Sequence, residues 1–235
     1  MKVQKIHENF RRFLLNENID PADVKMYIPS RGGDKRRIIL YTVPNEDQTV
    51  STNRLFLDTV IIGAVVIEDT SKAIGEPCIP ETFQISSIHV HEDYENLGFQ
   101  KLLMDSAFYM MANENKGLTS DQYSGTRDDA ARAWQHISND TTGYETRKTQ
   151  DGNSEFDYTN STPDPNDDCN LPIDGPATNK SFLKKDLSQI EPQYKQMQYN
   201  HIQFLMKVPR SDKSAFKTML ANKSKYEFIR RYHGL

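Results

Sequence analysis

The sequence predicts an α+β protein: a twisted, mostly antiparallel sheet flanked by helices, followed by a helical C-terminal extension. Three observations predict it. Short runs rich in β-branched residues recur through the first half, some alternating and some continuously apolar. Apolar residues elsewhere fall three and four apart, the spacing of a helix with one buried face. The two periods abut between Gln84 and Lys116, where a strand, a glycine turn and a helix follow without a gap.

Taken in order, Val3, Ile6, Phe10, Phe13 and Leu14 predict an amphipathic helix over residues 2–16. Asp20-Pro21 marks a turn or a new helical start. Met26 to Ile28 is a short strand, 31–35 a turn, and Arg36 to Val43 a strand. The run from Leu55 to Ile67 reads as one long buried strand, or two pieces with a bulge at Gly63. Phe83 to Val90 alternates, with Ile85, Ile88 and Val90 apolar. Tyr94 to Gln100 is a turn with Gly98 at the mouth of a helix that carries Leu102, Leu103, Ala107, Phe108, Met110 and Met111 on its apolar side.

Gly117 to Asp121 is a short strand. Asp128 to Ile137 is a second helix, with Ala130, Ala133, Trp134 and Ile137 on one face. Tyr144 to Lys148 and Ser154 to Tyr158 form a hairpin around Asp151-Gly152. Thr159 to Asn179 is rich in Pro, Asp and Asn and reads as an irregular connection; its acidic residues match no calcium-loop spacing. Tyr194, Met197, His201, Phe204, Leu205 and Val208 predict one further helix, and Phe216, Met219, Leu220 and Phe228 a last one over 214–230. The expected organisation is a domain over 1–160, a connection over 161–180 and a helical extension over 181–235. The extension's apolar faces should dock on the chain's own sheet or on another subunit, leaving its basic side outward.

Composition narrows the function classes. A chain of 235 residues with 36% hydrophobic residues and mean hydropathy −0.73 has room for one sizeable domain and an appendage. A net charge of −4 argues against a bulk nucleic-acid binder. With Cys78 and Cys169 alone, no disulfide framework is implied and a reducing compartment such as the cytoplasm fits. No run approaches the roughly 18 apolar residues of a membrane span. His89 and His91 share a strand face near Glu92 and Asp93, but no third metal ligand stands at a recognisable spacing.

A strand, a tight turn and a helix N-terminus present backbone N–H groups and the positive end of a helix dipole, which suits a phosphate or pyrophosphate. The order of residues adds to this. Ile88-His89-Val90, then Glu95-x-x-Gly98-x-Gln100, then an apolar helix resembles the cofactor segment of the GNAT acetyltransferase superfamily. Val90 falls on that family's strand valine and Gly98 on its central glycine. Glu95 stands where Arg or Gln is usual, and Gln100 where Gly or Ala is usual. The resemblance covers roughly residues 36 to 158. Leu118-Thr119-Ser120-Asp121, then Ala130-x-x-x-Trp134, also resembles acetyltransferase-like proteins encoded by bacteriophages.

The resemblance implies transfer of an acetyl group from acetyl-CoA to an amine, which a protein could present. Ile88, His89 and Val90 would then bind the pantetheine arm. Glu95, Asn96, Leu97, Gly98, Phe99, Gln100 and Lys101 would hold the pyrophosphate, mostly through backbone atoms. Asp121 would hold the amine, and Tyr144 would protonate the leaving thiolate. Gln84 falls where many members carry a basic glutamate; an amide cannot act as a base, so that role is vacant or has moved. The alternative is a GNAT-like module that has lost catalysis and binds a protein partner through its surface or C-terminal helices. Contact with nucleic acid by the basic C-terminal helix is weaker, because no stacking platform stands out.

Overall fold

The computed structural model describes residues 23–29, 34–43, 57–69, 81–121, 128–147 and 181–233. Seven strands, β1 (Lys25–Tyr27), β2 (Lys35–Thr42), β3 (Val60–Asp69), β4 (Thr82–Val90), β5 (Gly117–Thr119), β6 (Tyr144–Arg147) and β7 (Ser181–Lys184), form one sheet. The described helices are α1 (Phe99–Ala112), α2 (Asp128–Asn139), α3 (Glu191–Lys207) and α4 (Lys213–His233). Strand order is β1-β2-β3-β4-β5-β7-β6, and every neighbouring pair is antiparallel except β4 and β5. This is the α+β, mostly antiparallel architecture expected from the sequence.

Side-chain alternation along β2 explains the layering. Ile38 and Leu40 face one side, where α1 packs with Leu103, Ala107 and Phe108. Ile39, Tyr41 and Val43 face the other, against Phe204 of α3, Val208 at its C-cap, and Phe216 and Leu220 of α4. Helix α3 belongs to both cores: its first half gives Tyr194 and Met197 to the α1 side, its second half Phe204 to the opposite side. It therefore wraps the β1 edge, where the Asn200 amide donates to the Val24 carbonyl at 3.0 Å, and covers strand groups that would otherwise invite pairing with another chain. Lys223 anchors α4 through the Thr59 carbonyl at 2.9 Å. The C-terminal helices thus dock on the chain's own sheet, the first of the two expected places.

Several elements differ from expectation. The long apolar run is strand only from Val60; Leu57 and Asp58 are helical, and Leu57 is 78% exposed. The bulge in β3 falls at Ile62, because Leu40 and Tyr41 pair with Gly63 and Ile61. On α2 the buried residues are Ala131, Trp134 and Ile137, while Ala133 is exposed. The partner of β6 is β7, 34 residues or more away in the chain, and Ser181–Lys184 is a sheet strand where the helical extension was expected to begin. The helix expected over 2–16, the second hairpin strand over 154–158 and the connection over 159–179 lie outside the described residues.

Candidate functional site

The middle of the sheet forks. Strand β5 pairs with β4 only over Thr82–Gln84, opposite Gly117–Thr119. Among the described residues no strand is in register with that edge of β4 from Ile85 to Val90. The cause lies on the other edge. There Val66 faces Ser87 and Ile67 faces Ile85, which leaves Ser86 as an extra residue. A bulge bends its strand and sharpens the twist, and this one lies two residues beyond Gln84, where the pairing of β4 with β5 stops.

Beyond the bulge, β4 is drawn onto β3. A Cβ at Gly63 would lie 2.5 Å from the His89 carbonyl oxygen and 3.1 Å from Leu103 of α1, so only glycine fits there. His89 and Val90 are buried and Ile88 is half-buried. The His91 N–H donates to the Ile62 carbonyl at 2.8 Å and ends the strand. The His91 ring nitrogen accepts from the Asp93 N–H and starts a 3₁₀ turn over Glu92–Tyr94. The Tyr94 ring stands edge-on to Phe99, and burial, helped by Asp93, raises its hydroxyl pKa.

The turn into α1 uses two left-handed residues, Asn96 at φ 59° and Gly98 at φ 74°. Gly98 is the N-cap of α1 and brings no side chain to bond the first helical N–H groups; the first turn carries no acidic residue. The positive end of α1 is therefore not offset by its own N-cap or first turn, and it favours an anion. Glu95, Asn96, Gln100 and Lys101 are exposed, Leu97 is half-buried and Phe99 is buried. The fork and this turn meet at Val90, which places the strand end Ile88–Val90 next to the turn Glu95–Lys101.

The other expected residues spread along the fork. Asp121 lies two positions beyond Thr119 on the β5 arm, half-buried and on the open side. Gln84 is buried at the base, opposite Glu68. Tyr144 sits lower: it pairs with Lys184, while Phe182 pairs with Leu118, so it stands two residues toward the closed end, roughly 7 Å at strand rise. Its hydroxyl is 3.1 Å from Lys184 Nζ, which also bonds Asp105 of α1 at 3.0 Å. Asp105 in turn pairs with Lys101. Burial would lower the Lys184 pKa, but Asp105 and Tyr144 outweigh it and raise it, so the ammonium stays charged. No local sequence signal joins Asp105 to Lys184, 79 positions apart.

Among the described residues no three metal-ligating side chains gather, and no helix is long and apolar enough to cross a membrane. A cleft of about 250 Å³ lies at the far end of α1, between Tyr109 and Glu114 and the α3 residues Tyr194 and Lys195. It is separated from Gly98 by most of the helix, on the order of 15–20 Å.

No family model and no curated protein matches the sequence. Solved structures with distant structural similarity include an IAA acetyltransferase from Bacillus cereus ATCC 14579, at 13% identity over 65% of this chain and 79% of that one, with a TM-score of 0.32. An acetyltransferase of the GNAT family from Staphylococcus aureus Mu50 is 14% identical over 64% of this chain and 67% of that one, at 0.31. Nourseothricin acetyltransferase is 11% identical over 69% and 84%, at 0.31. Likenesses this distant carry no argument about chemistry here.

Proposed function

We propose that the chain is an acyl-CoA-dependent N-acyltransferase that moves an acetyl group from acetyl-CoA to an amine. The observation that carries this reading is the fork: a bulged strand edge, unregistered from Ile85 to Val90 among the described residues, which runs into a helix N-terminus whose N-cap, Gly98, supplies no side-chain bond. A polar, amide-bearing arm can add to such an edge as an extra strand would, while a pyrophosphate meets the N–H groups of residues 96 to 101. Acetyl-CoA would supply the activated thioester, whose C–S bond breaks as the C–N bond forms.

The chain's part is to hold and orient. Ile88, His89 and Val90 bind the arm. Asp121 holds the ammonium form of the acceptor at the open end. An amine with a pKa near 10 must lose a proton before it attacks; Gln84 cannot take it, so water in the open fork does. Tyr144, toward the closed end and bonded to Lys184, supports α1 against β6 and β7 in this reading, and the acid role expected of it is not carried over. Asp121→Asn should raise KM for the amine severalfold and leave acetyl-CoA binding unchanged.

A second reading, a module that binds without catalysis, is favoured by the exposed Glu95 beside the anion site and by the amide at Gln84. Calorimetry with acetyl-CoA, followed by thiol release in the presence of polyamines and lysine peptides, tests both. Binding with turnover supports transfer. Binding without thiol release for any amine supports the second reading, and no heat at about 1 mM rules out binding stronger than roughly −4 kcal/mol and sinks the first.

A further inference from the structure

The outer side of the C-terminal helices is built unlike the rest of the surface. Helix α3 buries Tyr194, Met197, His201 and Phe204 toward the sheet, yet turns Tyr199, Ile202 and Met206 to solvent at 55%, 53% and 69% exposure. Their spacing of three and four places them on one stripe, opposite the buried one. Single exposed apolar residues are ordinary; three in a row along one helix are not.

The two helices are also basic. Residues 191–226 carry seven Lys or Arg against Glu191 and Asp212, although the whole chain is net −4. The exposed Arg210, Lys217 and Lys225 form no ion pair among the described residues, whereas Lys195 is paired with Glu191. Helix α4 lies beside α3 on the same sheet face, with Phe204 and Phe216 in ring contact at 5.2 Å. Lys217 and Lys225 are thus exposed cations on the helix that packs next to the one carrying the stripe.

We infer that the outward face of α3 and α4 docks an acidic polypeptide segment whose apolar residues cover Tyr199, Ile202 and Met206. Charge complementarity selects the acidic partner: the exposed Arg210, Lys217 and Lys225 attract it and orient it, and desolvation of the stripe holds it. The composition favours protein over nucleic acid. Tyr, Met and Arg are enriched in the cores of protein interfaces, while the aliphatic Ile202 and Met206 offer bases no flat stacking surface. The stripe and its cations include none of the fork's residues, so the inference stands whether or not the fork binds acetyl-CoA.

Random Glu/Tyr copolymer is a suitable probe, compared with poly-glutamate, double-stranded DNA and anionic vesicles at equal charge. The full chain should bind the copolymer, more weakly as salt rises, and about tenfold more tightly than poly-glutamate. Ile202→Ser and the pair Lys217→Glu with Lys225→Glu should each weaken copolymer binding about tenfold, with thermal midpoints near wild type. Tyr199→Ser serves as the second stripe variant if Ile202→Ser is poorly folded. Absence of copolymer binding, equal affinity for poly-glutamate, or variants that bind as wild type would overturn the inference. Tighter binding to DNA or vesicles would overturn it in favour of those surfaces, and a dimer that Ile202→Ser dissociates would overturn it in favour of a second copy.

Discussion

His201 is buried between Tyr27, on which it stacks at 5.1 Å between centroids, and Tyr41, whose hydroxyl lies 2.7 Å from Nδ1. Lys25 of β1 and Lys217 of α4 face it as well. Burial first, then these two cations, lower its pKa to about 4. A neutral ring can accept a hydrogen bond from the Tyr41 hydroxyl at Nδ1, whereas a protonated ring can only donate. The folded pKa lies below the unfolded value of about 6.5, so this stability is fully present above pH 6.5 and is lost as pH falls toward 4. The loss amounts to about 3 kcal/mol. Urea midpoints should therefore fall between pH 6.5 and 4 in the wild type and change much less in His201→Gln, and parallel curves for the two would contradict the assignment. Gly63 makes a second residue-scale case. An added Cβ meets the His89 carbonyl, a backbone atom that cannot rotate away, so Gly63→Ala should cost about 1–3 kcal/mol by chemical denaturation.

At the scale of elements, docking of α4 rests on Phe216 and Leu220, both fully buried. Phe216→Ala should cost about 3–5 kcal/mol, seen as a lower thermal midpoint; a change under about 1 kcal/mol would mean that α4 is not packed as described. Removal of residues 179–235 should prevent folding altogether, because it deletes β7 as well as both helices, and a truncated chain with an unchanged melting temperature would contradict that.

Most elements were legible in the sequence because their periods are local. The alternation ending at Val90 and the helical spacing after Gly98 lie side by side, so β4, the turn and α1 could be placed within two residues. The misses were non-local. Ser181-Phe182-Leu183-Lys184 is too short to show a period, and it is a strand only because Leu118 and Thr146 stand on either side of Phe182. The bulge at Ser86, which opens the fork, depends on the register with Val66 and Ile67 and leaves no mark in a single strand. Of the site, the residues contiguous in the chain, Ile88 to Lys101, could be read; Asp105 with Lys184 could not.

On the scale of the whole molecule, the sheet separates two faces with different chemistry. One carries α1, whose N-terminus meets the fork in the middle of the sheet. The other carries α4 and the second half of α3, with an outward surface that is basic and partly apolar. The central claim is that the edge of β4 and the turn at Gly98 together bind acetyl-CoA. Amide hydrogen exchange, measured with and without the ligand, reads that edge directly. The account predicts slowed exchange at residues 85–90 and 96–101, little change at residues 195–210, and loss of the effect in Gly98→Trp. Unchanged exchange over 85–101 at a ligand concentration of about 1 mM, or protection confined to the cleft at the far end of α1, would contradict it.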